Sequence, residues 1–581
     1  MKRGNGGAAA VFRGARDVLL AHPEDLDAAR SAFPCRELAA LTEFNWALDW
    51  FDRLAEGKGR ATALHLVGEH GDETVSFTRL AERSGQVACH LRSLGVRRGD
   101  PVLLAPGSGP AVWEATLAVI KLGAVAVPAR VDASAAEFAE RIARAGVRHV
   151  VAAADSAPRF GNGPWTRVAV GGEVRGWERY EDCRAIEETF QPDGPTPSDA
   201  PLVCFLTSGT TGRPKMVVHT HGGYPVGQLT TMYWNGLRPG DRHLNAAVPG
   251  TAEHVWGSIL APWNAGATVV GVTLPDRILD ARDVLDVLRT REVTTCCAPP
   301  SVWHAIGRER LGKRPEWLRE AVSTGERLDP RLVEAVLEAW DVRVREGYGQ
   351  TETVVQVGVP PGRSPDPALR SMGWPLPGCP VGLLDSPSSL FGEPGESSGE
   401  PGETGEPGEP GEIVVELREG SLGLMSGYAG DLERTARARS GGRYRTGDLA
   451  VPADDGSWRY AGRAEDVFRS SDQLIIPLEL EDVLVRHPAV VEAAVVAFPD
   501  SVAGWTPKAF LVLEEGRSAD QELAADVFDL VRRELSPEKW VRVVEFMGAL
   551  PRTATGKVRR SALRAAPRTR GGPEYRMRSA L

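Results

Sequence analysis

Nine residues, Thr207-Ser-Gly-Thr-Thr-Gly-Arg-Pro-Lys215, limit what this chain can fold into more than any other segment. They lie between two apolar runs, Pro201-Leu-Val-Cys-Phe-Leu206 and Met216-Val-Val-His-Thr-His221. Short apolar runs separated by glycine-rich punctuation predict two strands joined at the rim of a sheet. In the loop between them, Gly209 and Gly212 let backbone N–H groups turn inward. The hydroxyls of Thr207, Ser208, Thr210 and Thr211 add donors, and Lys215 adds a cation. Together these groups form a cradle for phosphate oxygens. It is not a Walker loop, which ends in Gly-Lys-Ser/Thr. A plain Gly/Thr-rich hairpin turn has no need of a lysine after the proline.

The surrounding pattern predicts an α/β fold. Helical spacing over residues 44–57 and 77–95 alternates with short apolar runs at 100–108 and 148–154. Helix-then-strand pairs recur at 284–293 with 294–300 and at 332–340 with 341–349, as in parallel strands joined by crossover helices. At 581 residues the chain exceeds the roughly 250–300 residues of one core. The expectation is a large multi-sheet N-terminal domain over 36–465 and a small α+β C-terminal lid domain over 466–568, parting near Asp466. Residues 1–35 are set aside as a leader of unknown use and 569–581 as a tail. Residues 385–412 are dominated by Gly, Glu and Pro with almost nothing to bury, and are expected to form a disordered surface loop.

Charge narrows the partners. Lys and Arg number 68 against 78 Asp and Glu, a net charge of −10, so no overall basic field exists to hold nucleic acid or an anionic membrane. The most apolar stretch, Val112 to Pro128, is interrupted by Glu114 and Lys121 and falls short of the ~20 residues that span a bilayer. Seven scattered cysteines without a C-x-x-C pair predict free thiols in a reducing cytoplasm.

Five further motifs follow the phosphate loop in order: Ser323-Thr-Gly-Glu-Arg327, Glu346-Gly-Tyr-Gly-Gln-Thr-Glu352, Tyr444-Arg-Thr-Gly-Asp448, Gly462-Arg463 and Pro551-Arg-Thr-Ala-Thr-Gly-Lys557. With Thr207–Lys215 they resemble the acyl-adenylate-forming superfamily, which holds acyl-CoA synthetases, luciferases and the adenylation domains of peptide synthetases. Residues 44–52 and 261–269 look most like medium-chain acyl-CoA and benzoate-CoA ligases. The resemblance implies an acyl-CoA ligase that converts a carboxylic acid and ATP into acyl-AMP, then passes the acyl group to coenzyme A. By the same resemblance, Gly325, Glu326 and Arg327 line the adenine pocket. Within Gly347, Tyr348, Gly349 and Gln350, the Tyr348 ring packs on the base, as a flat aromatic can. Thr351 would donate to the α-phosphate and Glu352 would hold Mg2+, a cation that favours carboxylate oxygen. Asp448 resembles the ribose ligand and Arg463 the cation that accompanies it. Asp466 is the expected hinge. Lys557 sits in a loop that enters the family's active site during adenylation, where an ammonium offsets charge as pyrophosphate leaves.

Two places depart from the pattern. After the hinge, coenzyme A ligases read Ser-Gly-x-x-x-x-Pro, whereas here the segment is Ser471-Asp472-Gln473-Leu-Ile-Ile-Pro477, with a side chain and a charge where the glycine lies along the pantetheine arm. Medium-chain ligases carry Gly-Trp-Ala-Lys where this chain has Gly250-Thr-Ala-Glu-His254, so Thr251 replaces an aromatic of the acyl and thiol tunnel and Glu253 inverts a charge. His254 reads as a lining or core residue of that tunnel. These changes leave room for an enzyme that carries out one half-reaction beside a carrier protein or partner ligase in natural-product biosynthesis. A nucleotide-binding pseudoenzyme is the non-enzymatic alternative, against which Lys215, Glu352, Asp448 and Lys557 all stand.

Overall fold

The computed structural model describes residues 6–207, 214–273, 279–366, 370–384, 409–417, 422–470, 473–500, 504–552, 557–565 and 574–577. The chain forms two compact units: Met1–Val381 with Val415–Tyr444, and Gly382–Val414 with Arg445–Leu581. They part after Tyr444, earlier than the expected boundary near Asp466. The cause is local: Arg445 Nε and the Gly447 N–H donate to the buried carboxylate of Glu412, at 2.8 and 3.1 Å, tying strand Arg443–Pro452 to the second unit.

The first unit holds two large sheets. In one, Val344–Gly349, Glu320–Thr324, Thr295–Cys297, Arg242–Asn245, Thr268–Thr273 and Thr62–Gly68 run parallel in that spatial order. The crossover helices Ala281–Thr290 and Pro330–Trp340 carry the apolar faces that the sequence predicts, burying Val284, Leu288, Leu332 and Val336. The second sheet orders Gly427–Tyr428, Lys215–Thr220, Pro201–Thr207, Val125–Pro128, Pro101–Ala105 and His149–Ala153, then two further strands.

The helix Ala111–Leu122 is buried along its whole length, charges included. Glu114 accepts from the Tyr180 hydroxyl at 3.1 Å and faces Arg83 at 3.4 Å, while Lys121 pairs with Asp52 at 2.8 Å. Partners of this kind let buried charges survive. No described helix is long and apolar enough to cross a membrane.

The leader expectation is corrected. Helices Gly6–Ala21 and Leu26–Ala32 belong to the main core: Phe12 is fully buried, stacked on Phe44 at 5.3 Å, and Arg16 lies over the Trp50 ring. The predicted loop is also corrected at its end, where Gly411 and Glu412 open a buried strand; residues 385–408 lie outside the described part.

The second unit pairs Val490–Asp500, Gly504–Leu513, Val543–Met547 and Glu574–Arg576, covered by Pro477–Leu484 and Gln521–Glu534. The expected tail therefore supplies a strand. Its Glu574 accepts from Lys508 at 2.9 Å.

Candidate active site

Thr207 and Lys215 face each other across the antiparallel pair Pro201–Thr207 and Lys215–Thr220. Ser208, Gly209, Thr210, Thr211 and Gly212 lie outside the described residues. The Lys215 ammonium sits 3.6 Å from Glu352 and 5.3 Å from the centre of the Tyr428 ring. Tyr428 belongs to a short edge strand paired with Val217, which sets its ring beside Lys215. Its hydroxyl donates to Glu352 Oε1 at 2.9 Å. Burial raises the Tyr428 phenol, and the neighbouring Glu352 carboxylate raises it further, so it stays a donor. The carboxylate of Glu352 is thus shared by a cation and a phenol while only 8% exposed.

The rest of this motif is anchored from below. The ring of His219 is buried beside Tyr224, and its Nε2 lies 2.7 Å from the Thr351 carbonyl. Burial pushes that histidine down to about 4, so the ring is neutral at pH 7 and Nε2–H donates. Tyr444 donates to Gln350 Oε1 at 2.9 Å. Gly347 pairs with Thr324, which brings Gly325, Glu326 and Arg327 to the same sheet end as Tyr348. A β-carbon on Gly349 would lie 2.3 Å from the Val354 carbonyl oxygen, so only glycine fits there. Parallel strands present ligand sites at such carboxyl ends.

Thr251 spends its hydroxyl locally: it donates to Val248 O at 2.8 Å and accepts from the His254 N–H, capping the short helix Ala252–Val255. His254 is buried with its ring 5.6 Å from that of Trp113, and burial pushes it down to about 3. A ring held neutral in this way suits a lining role better than proton transfer near neutral pH.

In the second unit, Asp448 and Arg463 are opposite one another on paired strands, with Arg463 Nε 2.9 Å from Asp448 Oδ1. The Tyr460 hydroxyl donates to the same oxygen at 3.0 Å. Asp466 is held by Arg560 at 3.6 Å and Arg564 at 3.2 Å, and Arg560 also reaches Glu481 at 2.7 Å. Lys557 is exposed, next to an Arg552–Val558 bridge and an Arg559 N–H to Pro551 O bond. Gln473 is exposed opposite Ser470, and Ser471 and Asp472 lie outside the described residues.

Sequence reasoning missed Tyr428, Tyr460 and Glu412. Tyr428 stands 76 residues from the carboxylate it serves. Its only sequence signal is the Ser426-Gly-Tyr-Ala-Gly430 turn ahead of Tyr444.

Residues 51–429 match the family described as AMP-binding enzyme, and 479–557 match the AMP-binding enzyme C-terminal domain. The chain belongs to the AMP-binding enzyme family. Among relatives, it is 35% identical over 532 residues to 4-hydroxybutyrate–CoA ligase 1 of Metallosphaera sedula, covering 90% of this chain and 91% of the relative. It is 32% identical over 545 residues to the human mitochondrial acyl-coenzyme A synthetase ACSM4, with 90% of each covered. The crystal structure of the anthranilate CoA ligase AuaEII in complex with anthranoyl-AMP superposes with a TM-score of 0.76 at 26% identity, over 91% of this chain and 98% of that one.

Proposed function

We propose that this AMP-binding enzyme is an acid–thiol ligase. A carboxylate oxygen of the substrate attacks the α-phosphorus of ATP and the bond to pyrophosphate breaks. The sulfur of coenzyme A then attacks the carbonyl carbon of the acyl-AMP and AMP leaves. Passing through a mixed anhydride splits one difficult step into two. The observation that carries this reading is the Lys215–Glu352–Tyr428 cluster, whose lysine closes the Thr207–Lys215 motif in the sequence. Lys215 and Thr207–Gly212 bind phosphate, Gly325–Arg327 and Gly347–Gln350 hold adenine, Thr351 meets the α-phosphate, and Asp448 with Arg463 takes the ribose. Lys557 offsets charge during adenylation, and Asp466 is the hinge between half-reactions.

Among the described residues no three His, Cys, Asp or Glu side chains gather into a metal site. Glu352 alone fits Mg2+, which takes one or two carboxylates and completes its shell with water and phosphate. That ion would neutralise phosphate charge as the nucleotide reacts. Seven unpaired thiols suit a reducing compartment such as the cytoplasm.

Exchange of labelled pyrophosphate into ATP across a panel of acids, followed by thioester detection on adding coenzyme A, tests the reading. Exchange without any acid-dependent thioester would favour a second one, in which this enzyme stops at the adenylate or hands it to a carrier protein. Asp472 in place of glycine, and the capped Thr251 in place of an aromatic, are what favour it. Asp472→Gly should then raise the rate of thioester formation from synthetic acyl-AMP.

A further inference from the structure

The segment 248–255 carries a carboxylate that the adenylation chemistry leaves unexplained. Gly250, at φ +90°, is pressed so closely on the end of strand Val125–Pro128 that a β-carbon there would lie 2.2 Å from the Ala129 carbonyl. Three residues on, the Glu253 carbonyl accepts from Asn245 Nδ2 at 3.2 Å, at the carboxyl end of Arg242–Asn245. Glu253 is therefore fixed where the carboxyl ends of both large sheets meet.

Its carboxyl is poorly served there. Oε1 is shut off from solvent and accepts no hydrogen bond, and no cation pairs with the group among the described residues. The residue as a whole keeps partial exposure. Burial raises it to about 7, and the thiol of Cys297, at the end of the adjoining strand, is raised partly by its charge. A buried carboxyl without a partner is a net cost unless a ligand supplies one.

The adenine motifs end the neighbouring strands of the same sheet. Val344–Gly349, Glu320–Thr324, Thr295–Cys297 and Arg242–Asn245 are consecutive, which puts Glu253 two to three strand spacings, about 10–14 Å, from the adenylate end. That is the reach of a small acid.

We propose that Glu253 is a specificity residue, taking a hydrogen-bond-donating group, an amine or a hydroxyl, at the far end of the acid substrate. The assignment rests on the ligase reading above and deepens it by naming the substrate class: a small amino or hydroxy acid. A protonated amine would form an ion pair with the carboxylate, and a hydroxyl would donate a hydrogen bond to it.

The test uses the full-length enzyme and pyrophosphate exchange with butyrate, 4-aminobutyrate, 4-hydroxybutyrate and the corresponding six-carbon acids. The wild-type protein should prefer a substituted acid to its unsubstituted counterpart by at least tenfold in kcat/KM. Glu253→Leu should abolish or reverse that preference while keeping exchange with the unsubstituted acid. Glu253→Gln, close in shape, should reduce turnover of the amino acid more than that of the hydroxy acid if the partner is an amine, and spare the hydroxy acid if it is a hydroxyl. A ranking of acids that is the same in wild type and Glu253→Leu overturns the assignment and leaves the ligase reading intact. Absence of exchange with every acid overturns the ligase reading, and the assignment with it.

Discussion

Changing Tyr428 to Phe leaves the ring over Lys215 and deletes one donor to Glu352. Hydrogen bonds to charged groups contribute about 1.5–3 kcal/mol. Tyr428→Phe should therefore slow pyrophosphate exchange about 10- to 100-fold, with a melting temperature close to that of wild type by calorimetry. An unchanged exchange rate would show that Glu352 is held by Lys215 alone. Lys557 makes a sharper case because its proposed role belongs to one half-reaction. Loss of one preorganised charge costs about 10²–10³ in rate, so Lys557→Ala should suppress adenylation by that factor and spare thioester formation from synthetic acyl-AMP. Equal damage in the two assays would count against a lysine that serves adenylation only.

The N-terminal helix Gly6–Ala21 behaves as an element of the core, with Phe12, Ala15 and Leu19 all essentially unexposed. Phe12 touches both Phe44 and Trp50, with ring centres 5.3 and 5.0 Å away. Removing such a ring costs about 3–5 kcal/mol through lost transfer energy and the cavity left behind. Phe12→Ala should lower the denaturant midpoint of unfolding accordingly. A leader with no part in the fold would give no change. The opposite expectation holds for the Gly/Glu/Pro-rich segment. Deleting Glu393 to Pro410 removes almost no apolar side chain, and loop closure depends only slowly on length. The melting temperature should stay within about 3 °C. A sharp fall would mean that the repeat is packed.

Over the whole molecule, four histidines of the first unit are held well below the ordinary value near 6.5 by burial: His219 and His243 to about 4, His221 and His254 to about 3. The unfolded chain takes up protons at these sites near pH 6.5, whereas the folded chain does not until about pH 4. Stability from neutral burial is thus fully present above 6.5 and declines as pH falls through that window. Urea midpoints should drop between pH 7 and 5, and His221→Asn should make that drop shallower. A parallel profile for the variant would show that His221 does not take part in the proton uptake.

The order of six motifs, the parallel crossover pattern and the existence of a second, smaller unit are all written locally. Each depends on spacing within a few tens of residues: the 3.6 period of Pro330–Trp340, or the apolar runs flanking Thr207 and Lys215. So Lys215, Glu352 and Asp448 could be singled out before any coordinate was known. What holds them could not. Tyr428 reaches Glu352 across 76 residues, Glu412 reaches Arg445 across 33, and Phe12 finds Phe44 through packing that the short span between them does not prescribe. Hydrophobic periodicity says which side of an element is buried, and it is silent on which distant side chain will meet it there. Glu253 marks the same divide. The sequence displays an inverted charge at that position, but only the convergence of the carboxyl ends of two sheets buries its Oε1 without a hydrogen bond among the described residues. That outcome is a balance of desolvation and pairing, which chain folding alone decides.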